Sequence, residues 1–314
     1  MTPAAGRDRL VALGDSITVG VGDTVGPDAV HGPGWAAHLA TVLGVAEFTN
    51  LAGNGARSRD VADTQLGAAL ALRPRLATVL VGGNDVLRSD FDARLTLADL
   101  RRCVEELCRA GTDVVLVRLP VIGLFELAPR LVRHVMRRRV AAINAAVDEV
   151  AAGGGTDPAQ GRVVVVDAAR AIAPAGARAW HVDRVHPSPA GHRRLALAVA
   201  GELAALGLPS AAGGTAGDAQ AGAAGPDAVA APTPTAVLAA RLPAAPDPPG
   251  VWQRVAWLVR AGLPWCVRRG RDFLPGLLRA VVHDLRAERV LTPGGMVTSL
   301  ADSGLDPRRR IGRG

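Results

Sequence analysis

The first 206 residues alternate short apolar runs with longer segments of helical periodicity, and this alternation restricts the fold more than any other feature. Short apolar runs that stop at glycine, proline or a polar residue are typical of buried parallel strands. The five runs are Leu10–Leu13, Phe48–Ala52, Leu76–Val81, Val114–Leu119 and Val163–Val166. The alternation predicts a parallel sheet with helices on both faces. With five strands, we expect an α/β fold of the flavodoxin-like three-layer α/β/α type.

The segments between these strands carry apolar residues at the three- and four-residue spacing of amphipathic helices. The predicted helices cover Trp35–Leu43, Arg59–Leu72, Leu95–Ala110, Pro129–Val150 and Pro189–Leu206. Arg59–Leu72 is expected to be a helix or a broken helix. The last helix has Ser188 as its predicted N-cap and Pro189 at its first position, both of which favour a helix start there.

Three candidate site residues follow the predicted strands directly. Ser16 follows the first strand and the Gly14 that ends it. Gly53 follows the second strand, and Asn84 follows the third. Because the carboxyl ends of parallel strands meet at one edge of a sheet, we expect these residues to line a common crevice. A serine there can act as a nucleophile, whereas backbone N–H groups and a carboxamide can stabilise an oxyanion. An ordinary loop with a polar cap is the alternative interpretation of the serine.

A histidine just before the last predicted helix has the spacing expected of a catalytic base. Asp183 and His186 lie three residues apart. At this offset a carboxylate can hold the Nδ1 of the histidine while its Nε2 faces a serine. Pro187 keeps His186 out of helical backbone geometry. These residues therefore predict a triad of Ser16, His186 and Asp183.

Four short motifs occur in a fixed order between residue 9 and about residue 206. They are Gly14-Asp15-Ser16, Gly53 within Asn50-Leu51-Ala52-Gly53, Gly82-Gly83-Asn84-Asp85, and Asp183-x-x-His186. In this order and at strand ends, the set resembles the four blocks of the SGNH (GDSL) hydrolase family. The early nucleophile and the absence of G-x-S-x-G argue against the larger α/β-hydrolase fold.

The resemblance implies a serine hydrolase that works without a metal or cofactor. Ser16 would be the nucleophile, His186 the base and Asp183 its orienting acid, with Ser16, Gly53 and Asn84 as the oxyanion hole. The implied reaction is cleavage of a small carboxyl ester or acyl thioester through an acyl-enzyme on Ser16. Two alternatives stay open: deacetylation of a sugar or natural product on the same triad, and a catalytically idle scaffold used for binding.

Neither the histidines nor the cysteines have the spacing of metal ligands. The histidines outside the predicted triad are expected at the surface or hydrogen-bonded in the core; they are His31, His38, His134, His181, His192 and His283. The three cysteines, Cys103, Cys108 and Cys266, form no C-x-x-C pair, and their odd number favours a reducing compartment. We find no signal-peptide pattern and no apolar stretch of membrane-spanning length, so the cytoplasm is the expected location.

Composition divides the chain into four parts. Residues 1–206 are the expected hydrolase domain, and residues 207–250, rich in alanine, glycine and proline, are expected to be a disordered linker. Residues 251–290 are predicted to form a basic amphipathic helical segment, and residues 291–314 a disordered basic tail. Residues 1–250 hold 24 arginines and 24 acidic residues, so the net charge of +7 lies wholly in residues 251–314. The body therefore has no bulk attraction for nucleic acid.

Two interpretations of the amphipathic segment stay open. Its apolar stripes can dock on the hydrolase body or pair with each other, which is typical of helices with stripes of this width. Alternatively, its tryptophans and arginines can lie on an anionic membrane as a peripheral contact. Docking or self-pairing is favoured, and under both interpretations we expect the tail to lie outside the catalytic unit.

Overall fold

A computed structural model describes the greater part of the chain. The described residues are 8–24, 31–126, 128–154, 160–207, 234–257, 259–260, 264, 278–279, 282 and 286. Within them, the strands are β1 (Arg9–Gly14), β2 (Glu47–Asn50), β3 (Leu76–Leu80), β4 (Asp113–Arg118) and β5 (Val163–Asp167). They form one parallel sheet in the order β2-β1-β3-β4-β5. The predicted five-stranded α/β fold is confirmed.

Helices cover both faces of this sheet. They are α1 (Ser16–Val19), α2 (Gly34–Leu43), α3 (Ser58–Asp60), α4 (Leu66–Leu72), α5 (Gly83–Val86), α6 (Ala93–Arg109), α7 (Gly123–Glu126), α8 (Arg130–Gly153), α9 (Ala168–Ile172), α10 (Pro189–Ala205), α11 (Pro234–Ala239) and α12 (Val251–Trp257). A π-helical turn, Val61–Gln65, joins α3 to α4, so the segment predicted as a helix or broken helix is broken. Ser188 caps α10 as predicted, accepting a hydrogen bond from the Gly191 N–H.

The central strand β1 divides the core into two layers. Leu10 and Ala12 pack into the cluster formed with α2 and α10, whereas Val11 and Leu13 pack into the opposite cluster with α4 and α6. All four side chains are fully buried. Alternate side chains of a strand point to opposite faces, so a strand covered on both faces is apolar throughout. This burial explains the continuous apolar run in the sequence.

Two buried histidines tie α2 and α10 to the loop that follows α1. His192 accepts a hydrogen bond from the Trp35 N–H at 3.1 Å on Nδ1 and donates one from Nε2 to the Val21 carbonyl at 3.0 Å. Burial lowers the pKa of His192 to about 4, so this imidazole is neutral at physiological pH. His38 lies 2.7 Å from the buried carboxylate of Asp23. Both histidines are hydrogen-bonded in the core, as the sequence predicts.

The structure departs from the predicted linker at residues 207–250. Helix α11 lies within that range, and Leu238, Ala239 and Leu242 pack against the core cluster that contains α2 and α10. Arg241 donates a hydrogen bond to the Val42 carbonyl at 2.8 Å, and Arg193 donates one to the Pro243 carbonyl at 2.9 Å. A few apolar side chains suffice to fix this alanine-rich segment because the body offers them a surface. Residues 208–233 of the predicted linker lie outside the described residues.

Helix α12 is the described beginning of the predicted amphipathic segment, residues 251–290. Most of the rest of that segment, and the whole predicted tail at 291–314, lie outside the described residues. Among the helices of the described part, none is long and apolar enough to cross a membrane.

Candidate functional site

The turn after β1 places Ser16 at the carboxyl edge of the sheet. Gly14 has a φ of +150°, and a Cβ atom there would overlap the carbonyl oxygen of Leu80 on β3. Only glycine therefore allows β1 to end so close to its neighbour. Asp15 caps α1 by accepting the Ile17 N–H at 3.1 Å, and Ser16 is the first residue of this short helix. The local sequence thus directs the serine out of the strand and into the crevice.

Gln65 holds this turn from the other side, and the sequence analysis did not identify it. Its side-chain oxygen accepts the Gly14 N–H at 2.8 Å, and its side-chain nitrogen donates to the Gly14 carbonyl at 3.0 Å. Gln65 ends the π-helical turn and is buried. The glutamine amide therefore satisfies the Gly14 N–H at the end of the strand and adds a second donor to the Gly14 carbonyl, which also accepts the Gly53 N–H.

The structure brings the three predicted triad residues into one hydrogen-bonded chain. The Nε2 of His186 lies 2.9 Å from the Ser16 Oγ, and its Nδ1 lies 2.8 Å from the Asp183 Oδ2. A carboxylate only accepts hydrogen bonds, so Nδ1 carries the proton and Nε2 can accept the serine hydroxyl proton. This arrangement can generate a serine nucleophile by general-base catalysis.

The carboxylate of Asp183 is fixed by its own loop. Its Oδ1 accepts the backbone N–H groups of Val185 at 2.8 Å and His186 at 3.0 Å, which leaves Oδ2 for the imidazole. Burial alone would raise the pKa of Asp183, but the imidazoles of His181 and His186 hold that pKa well below its usual range. Asp183 is therefore ionised throughout the physiological range.

His181 lies on the opposite side of the same carboxylate. Its Nδ1 is 3.2 Å from the Asp183 Oδ2 and is buried, but it has no hydrogen-bond partner of acceptable angle among the described residues. The backbone joins the two histidines directly, since the His181 N–H donates to the His186 carbonyl at 2.9 Å. From the sequence, His181 is expected at the surface or hydrogen-bonded in the core. Only its spacing of two residues from Asp183 could have indicated a position beside the triad carboxylate.

Gly22 lets the catalytic loop, residues 181–186, approach the loop that follows α1. Its φ is +92°, and a Cβ atom there would overlap the Pro187 carbonyl oxygen and press on the Cβ atoms of His186 and His181. This close contact fixes the distance between the serine and histidine sides of the site.

Asp15 is a second buried carboxyl group beside the triad. Burial raises the pKa of Asp15 to about 7, and the neighbouring Asp85 acts in the same direction, whereas the Ile17 N–H and the charge of His186 lower it. Asp85 itself accepts hydrogen bonds from the backbone and side chain of Ser58, at 3.0 Å and 2.9 Å. Asp15 therefore braces the nucleophile turn and titrates near neutral pH.

The predicted oxyanion donors have different surroundings. The Ser16 N–H has no hydrogen-bond partner within the described residues. Asn84 uses one hydrogen of its side-chain amide to bond the Ala56 carbonyl at 3.0 Å, so its second hydrogen stays available. The Gly53 N–H instead donates to the Gly14 carbonyl at 3.1 Å, which departs from its predicted role because that hydrogen is already used.

A tight turn lies directly after Gly53. The Ala56 N–H donates to the Gly53 carbonyl at 3.1 Å, and Gly55 has a φ of +82°, as expected for the third residue of a type II turn. The Gly55 N–H has no hydrogen-bond partner in the described part of the chain. Asn84 holds this turn through Ala56, so the turn and the amide form one unit.

In the portion of the chain that the structure describes, no group of three or more histidine, cysteine, aspartate or glutamate side chains is arranged to hold a metal ion. The groups that surround Ser16 are instead a base, a carboxylate and N–H donors. Such a set is suited to acyl transfer.

The sequence profile of the GDSL-like lipase/acylhydrolase family matches residues 12–194, a range that includes all five predicted site residues. Among curated proteins, none matches the sequence. Similar solved structures include a catalytic mutant of Axe2, an acetylxylan esterase from Geobacillus stearothermophilus, with 25% identity, a TM-score of 0.50, and coverage of 63% of this chain and 95% of that chain. TesA has 22% identity and a TM-score of 0.49, with coverage of 63% and 99%.

Proposed function

The chain belongs to the GDSL-like lipase/acylhydrolase family and is an ester-cleaving hydrolase, and we propose that it acts through an acyl-enzyme formed on Ser16. The observation that carries this proposal is the continuous chain from the Ser16 Oγ through His186 to Asp183, with distances of 2.9 Å and 2.8 Å. Both distances are those of good hydrogen bonds. The preformed chain also counts against an idle scaffold used only for binding.

The proposed reaction has two halves. In the first, the Ser16 Oγ attacks the carbonyl carbon while His186 takes the hydroxyl proton, and His186 then returns this proton to the departing alcohol or thiol. In the second, His186 deprotonates a water molecule that attacks the acyl-enzyme, and the acid is released as Ser16 regains its proton. Asp183 keeps the proton of the resting imidazole on Nδ1 and stabilises the imidazolium formed in each half.

We assign the oxyanion hole to the Ser16 N–H, the free hydrogen of the Asn84 amide, and the Gly55 N–H in place of Gly53. The support for Gly55 is that its N–H is free and lies in the turn that Asn84 holds, whereas the Gly53 N–H is donated to Gly14. Donors that are fixed before the reaction stabilise developing charge without reorganisation.

The substrate class is a small carboxyl ester or an acyl thioester. Deacetylation of a sugar or natural product is the second candidate, and the similarity to an acetylxylan esterase favours it. An assay panel distinguishes these classes: nitrophenyl esters of increasing acyl length, an acyl thioester and an acetylated xylo-oligosaccharide. A preference for the oligosaccharide would favour deacetylation over the leading candidate.

Ser16→Ala tests the proposed nucleophile. We expect turnover on the best ester of the panel to fall to less than about 1% of the wild-type value, because the Ser16 hydroxyl is the group that forms the proposed acyl-enzyme. The circular dichroism spectrum should not change, since the hydroxyl is at the edge of the crevice. A folded variant that keeps more than a few per cent of wild-type turnover would overturn the assignment of Ser16.

For the tail, we propose docking on the hydrolase body rather than contact with a membrane. The support is the ring contact between Trp257 of this segment and His181 of the body, together with the contacts of α11, Arg241 and Pro243 that fix the chain just before the segment. The full-length chain should not sediment with anionic vesicles at low salt. Sedimentation that weakens as salt is added would overturn this proposal in favour of the membrane.

We propose the cytoplasm as the compartment. The support is that Cys103 and Cys108 are both buried and unpaired, and that burial raises the pKa values of their thiols to about 12 and about 11. Such thiols are inert side chains of the core. Thiol titration of freshly purified, unfolded protein should find all three cysteines of the chain reduced.

A further inference from the structure

We propose that Trp257 and His181 are positioning residues of the active site, through which helix α12 (Val251–Trp257) holds the Asp183 carboxylate in line with His186. This inference rests on the proposed function, since it concerns the same triad. It also corrects the expectation that the tail lies outside the catalytic unit.

Helix α12 contacts the catalytic loop through one aromatic pair. The rings of Trp257 and His181 meet edge to face, with centroids 5.6 Å apart and planes at 89°. This geometry is a preferred arrangement of aromatic pairs. Trp252, on the same helix, is 84% exposed, whereas Trp257 is half-buried. The two tryptophans of α12 thus differ in the one respect that matters, contact with the active-site loop.

His181 in turn contacts the carboxylate of Asp183. The carboxylate uses Oδ1 for two backbone N–H groups, so only Oδ2 faces the imidazoles. Two Nδ1 atoms lie against this oxygen, that of His186 at 2.8 Å and that of His181 at 3.2 Å. His181 cannot move without changing the surroundings of the oxygen that orients the catalytic base.

The chain that leads into α12 is itself anchored to the body. Residues 241–243 are anchored to the body by Arg241 on Val42 and by Arg193 on Pro243, a few residues before α12 begins. The Gln253 side chain accepts the Gly250 N–H at 2.8 Å and stabilises the start of α12. The body itself therefore delivers α12 to the neighbourhood of the catalytic loop.

The electrostatic consequence has a definite sign. His181 shares the negative charge of Asp183, and this sharing reduces the attraction that the carboxylate exerts on the imidazolium of His186. Loss of His181 leaves that charge to His186 alone, so the carboxylate attracts the imidazolium formed during the reaction more strongly. The charge of His186 also acts on the buried Asp15 and His192, and both of these residues are unchanged in every variant below.

The experiment compares full-length variants on a soluble ester. In Trp257→Ala we expect kcat to fall about 10-fold with little change in KM, because the carboxylate is less well fixed. Trp257→Phe should recover most of this loss, since a phenyl ring can still pack edge to face. Trp252→Ala is the matched control on the same helix and should behave as the wild type. Equal kcat values for Trp257→Ala and Trp252→Ala would overturn the inference.

A second variant separates positioning from a general loss of structure. His181→Leu should lower kcat to a similar extent and move the midpoint of the pH profile of kcat/KM upward. The double variant, Trp257→Ala with His181→Leu, should be no slower than the slower single variant, because both act through one contact. Multiplying effects, or a midpoint that stays at the wild-type pH in His181→Leu, would overturn the inference.

The outcomes also separate this inference from the proposed function. An active Ser16→Ala protein would overturn the function itself. An inactive Ser16→Ala protein together with an unaffected Trp257→Ala protein would overturn only the role of the tail.

Discussion

The nucleophile turn, residues 14–16, and the catalytic loop, residues 181–186, meet at the active site but are held in different ways. The nucleophile turn is built into the sheet, because Gly14 ends β1 against β3 and the Gln65 amide pairs both of its backbone groups. The catalytic loop lies outside the sheet. It is held by hydrogen bonds within the loop, by its contact with Gly22, and by His181 against the distant Trp257.

This difference indicates which half of the site can be adjusted. A residue fixed by a strand moves only if the core moves, so Ser16 is as rigid as the fold. On the proposal above, the position of His186 depends in part on the contact between His181 and Trp257 of α12. We infer that substitutions in the tail change the activity through the base and leave the serine side in place.

The largest effects on activity should come from adding a Cβ atom at Gly14 or Gly22, where each region has no room for one. Gly14→Ala forces a Cβ atom onto the Leu80 carbonyl at a φ of +150°, so we expect a loss of at least about 3 kcal/mol of unfolding free energy and of nearly all activity. Gly22→Ala forces a Cβ atom onto the Pro187 carbonyl and against His186, but in a loop outside the sheet, so it should abolish activity with a smaller loss of stability. Urea unfolding and ester turnover measure both. The comparison fails if Gly22→Ala destabilises the protein as much as Gly14→Ala.

The next largest effect on turnover should come from Asn84, which holds the turn at residues 53–56 through Ala56. Asn84→Ala removes a proposed oxyanion donor and the hydrogen bond to Ala56, so turnover should fall by roughly 10²–10³-fold. The variant should keep its affinity for substrate, because the donor acts mainly on the transition state. Steady-state kinetics on the best ester give both values. An unchanged turnover would remove Asn84 from the oxyanion hole.

Asp15→Asn tests the electrostatics of the nucleophile turn. The pKa of Asp15 is raised from 3.8 to about 7 in the folded chain, so between these values the native state holds a proton that the unfolded chain has released. Wild-type stability therefore loses up to about 1.4 kcal/mol per pH unit in this window, a loss that asparagine avoids. Relative to the wild type, the variant should gain stability from about pH 4 to pH 7 and then level off.

His192 complicates the absolute curves but leaves this difference intact. Burial lowers its pKa from 6.5 to about 4, so its contribution to stability rises with pH in that window and opposes that of Asp15. Both proteins contain His192, and its effect cancels when the variant is compared with the wild type. Urea unfolding at pH 5, 6, 7 and 8 supplies the comparison. A difference that is independent of pH would contradict the raised pKa of Asp15.

The smallest effect should come from the anchor of the tail. Arg241→Ala removes one hydrogen bond to the Val42 carbonyl, so we expect a loss of no more than about 1 kcal/mol of unfolding free energy and a fall in kcat of less than about 3-fold. Arg254→Ala is the matched control, because Arg254 donates to Pro249 within the tail segment. A control that lowers kcat as much as Arg241→Ala would contradict the idea that the anchor positions α12.

The sequence predicts the nucleophile turn well because its determinants are local. An apolar run, a glycine and a serine are adjacent in the chain, and so are Asp183 and His186. Gln65 was missed because its role depends on a π-helical turn that brings its amide to Gly14. The proposed choice of Gly55 over Gly53 was beyond the sequence for a similar reason, since it rests on the hydrogen bond from the Gly53 N–H to the Gly14 carbonyl.

The region after residue 206 was the least predictable part of the chain. Composition predicts a disordered linker at residues 207–250, yet Leu238 and Leu242 pack against the body. Beyond the linker, Trp257 contacts His181. These contacts join segments that are far apart in the chain, and no local pattern encodes their pairing. A single sequence indicates that a helix is amphipathic but not where it docks.

The central claim is that His186, oriented by Asp183, activates Ser16 for acyl transfer. Its most direct test is the rate at which a fluorophosphonate labels the protein, measured from pH 5 to pH 8 with the labelled residue identified by peptide mass spectrometry. We predict one adduct, on Ser16, formed at a rate that rises with pH to a plateau as the imidazole becomes neutral. Labelling should be strongly slowed in His186→Ala. An adduct on another residue, or a rate that does not change with pH, would contradict the account.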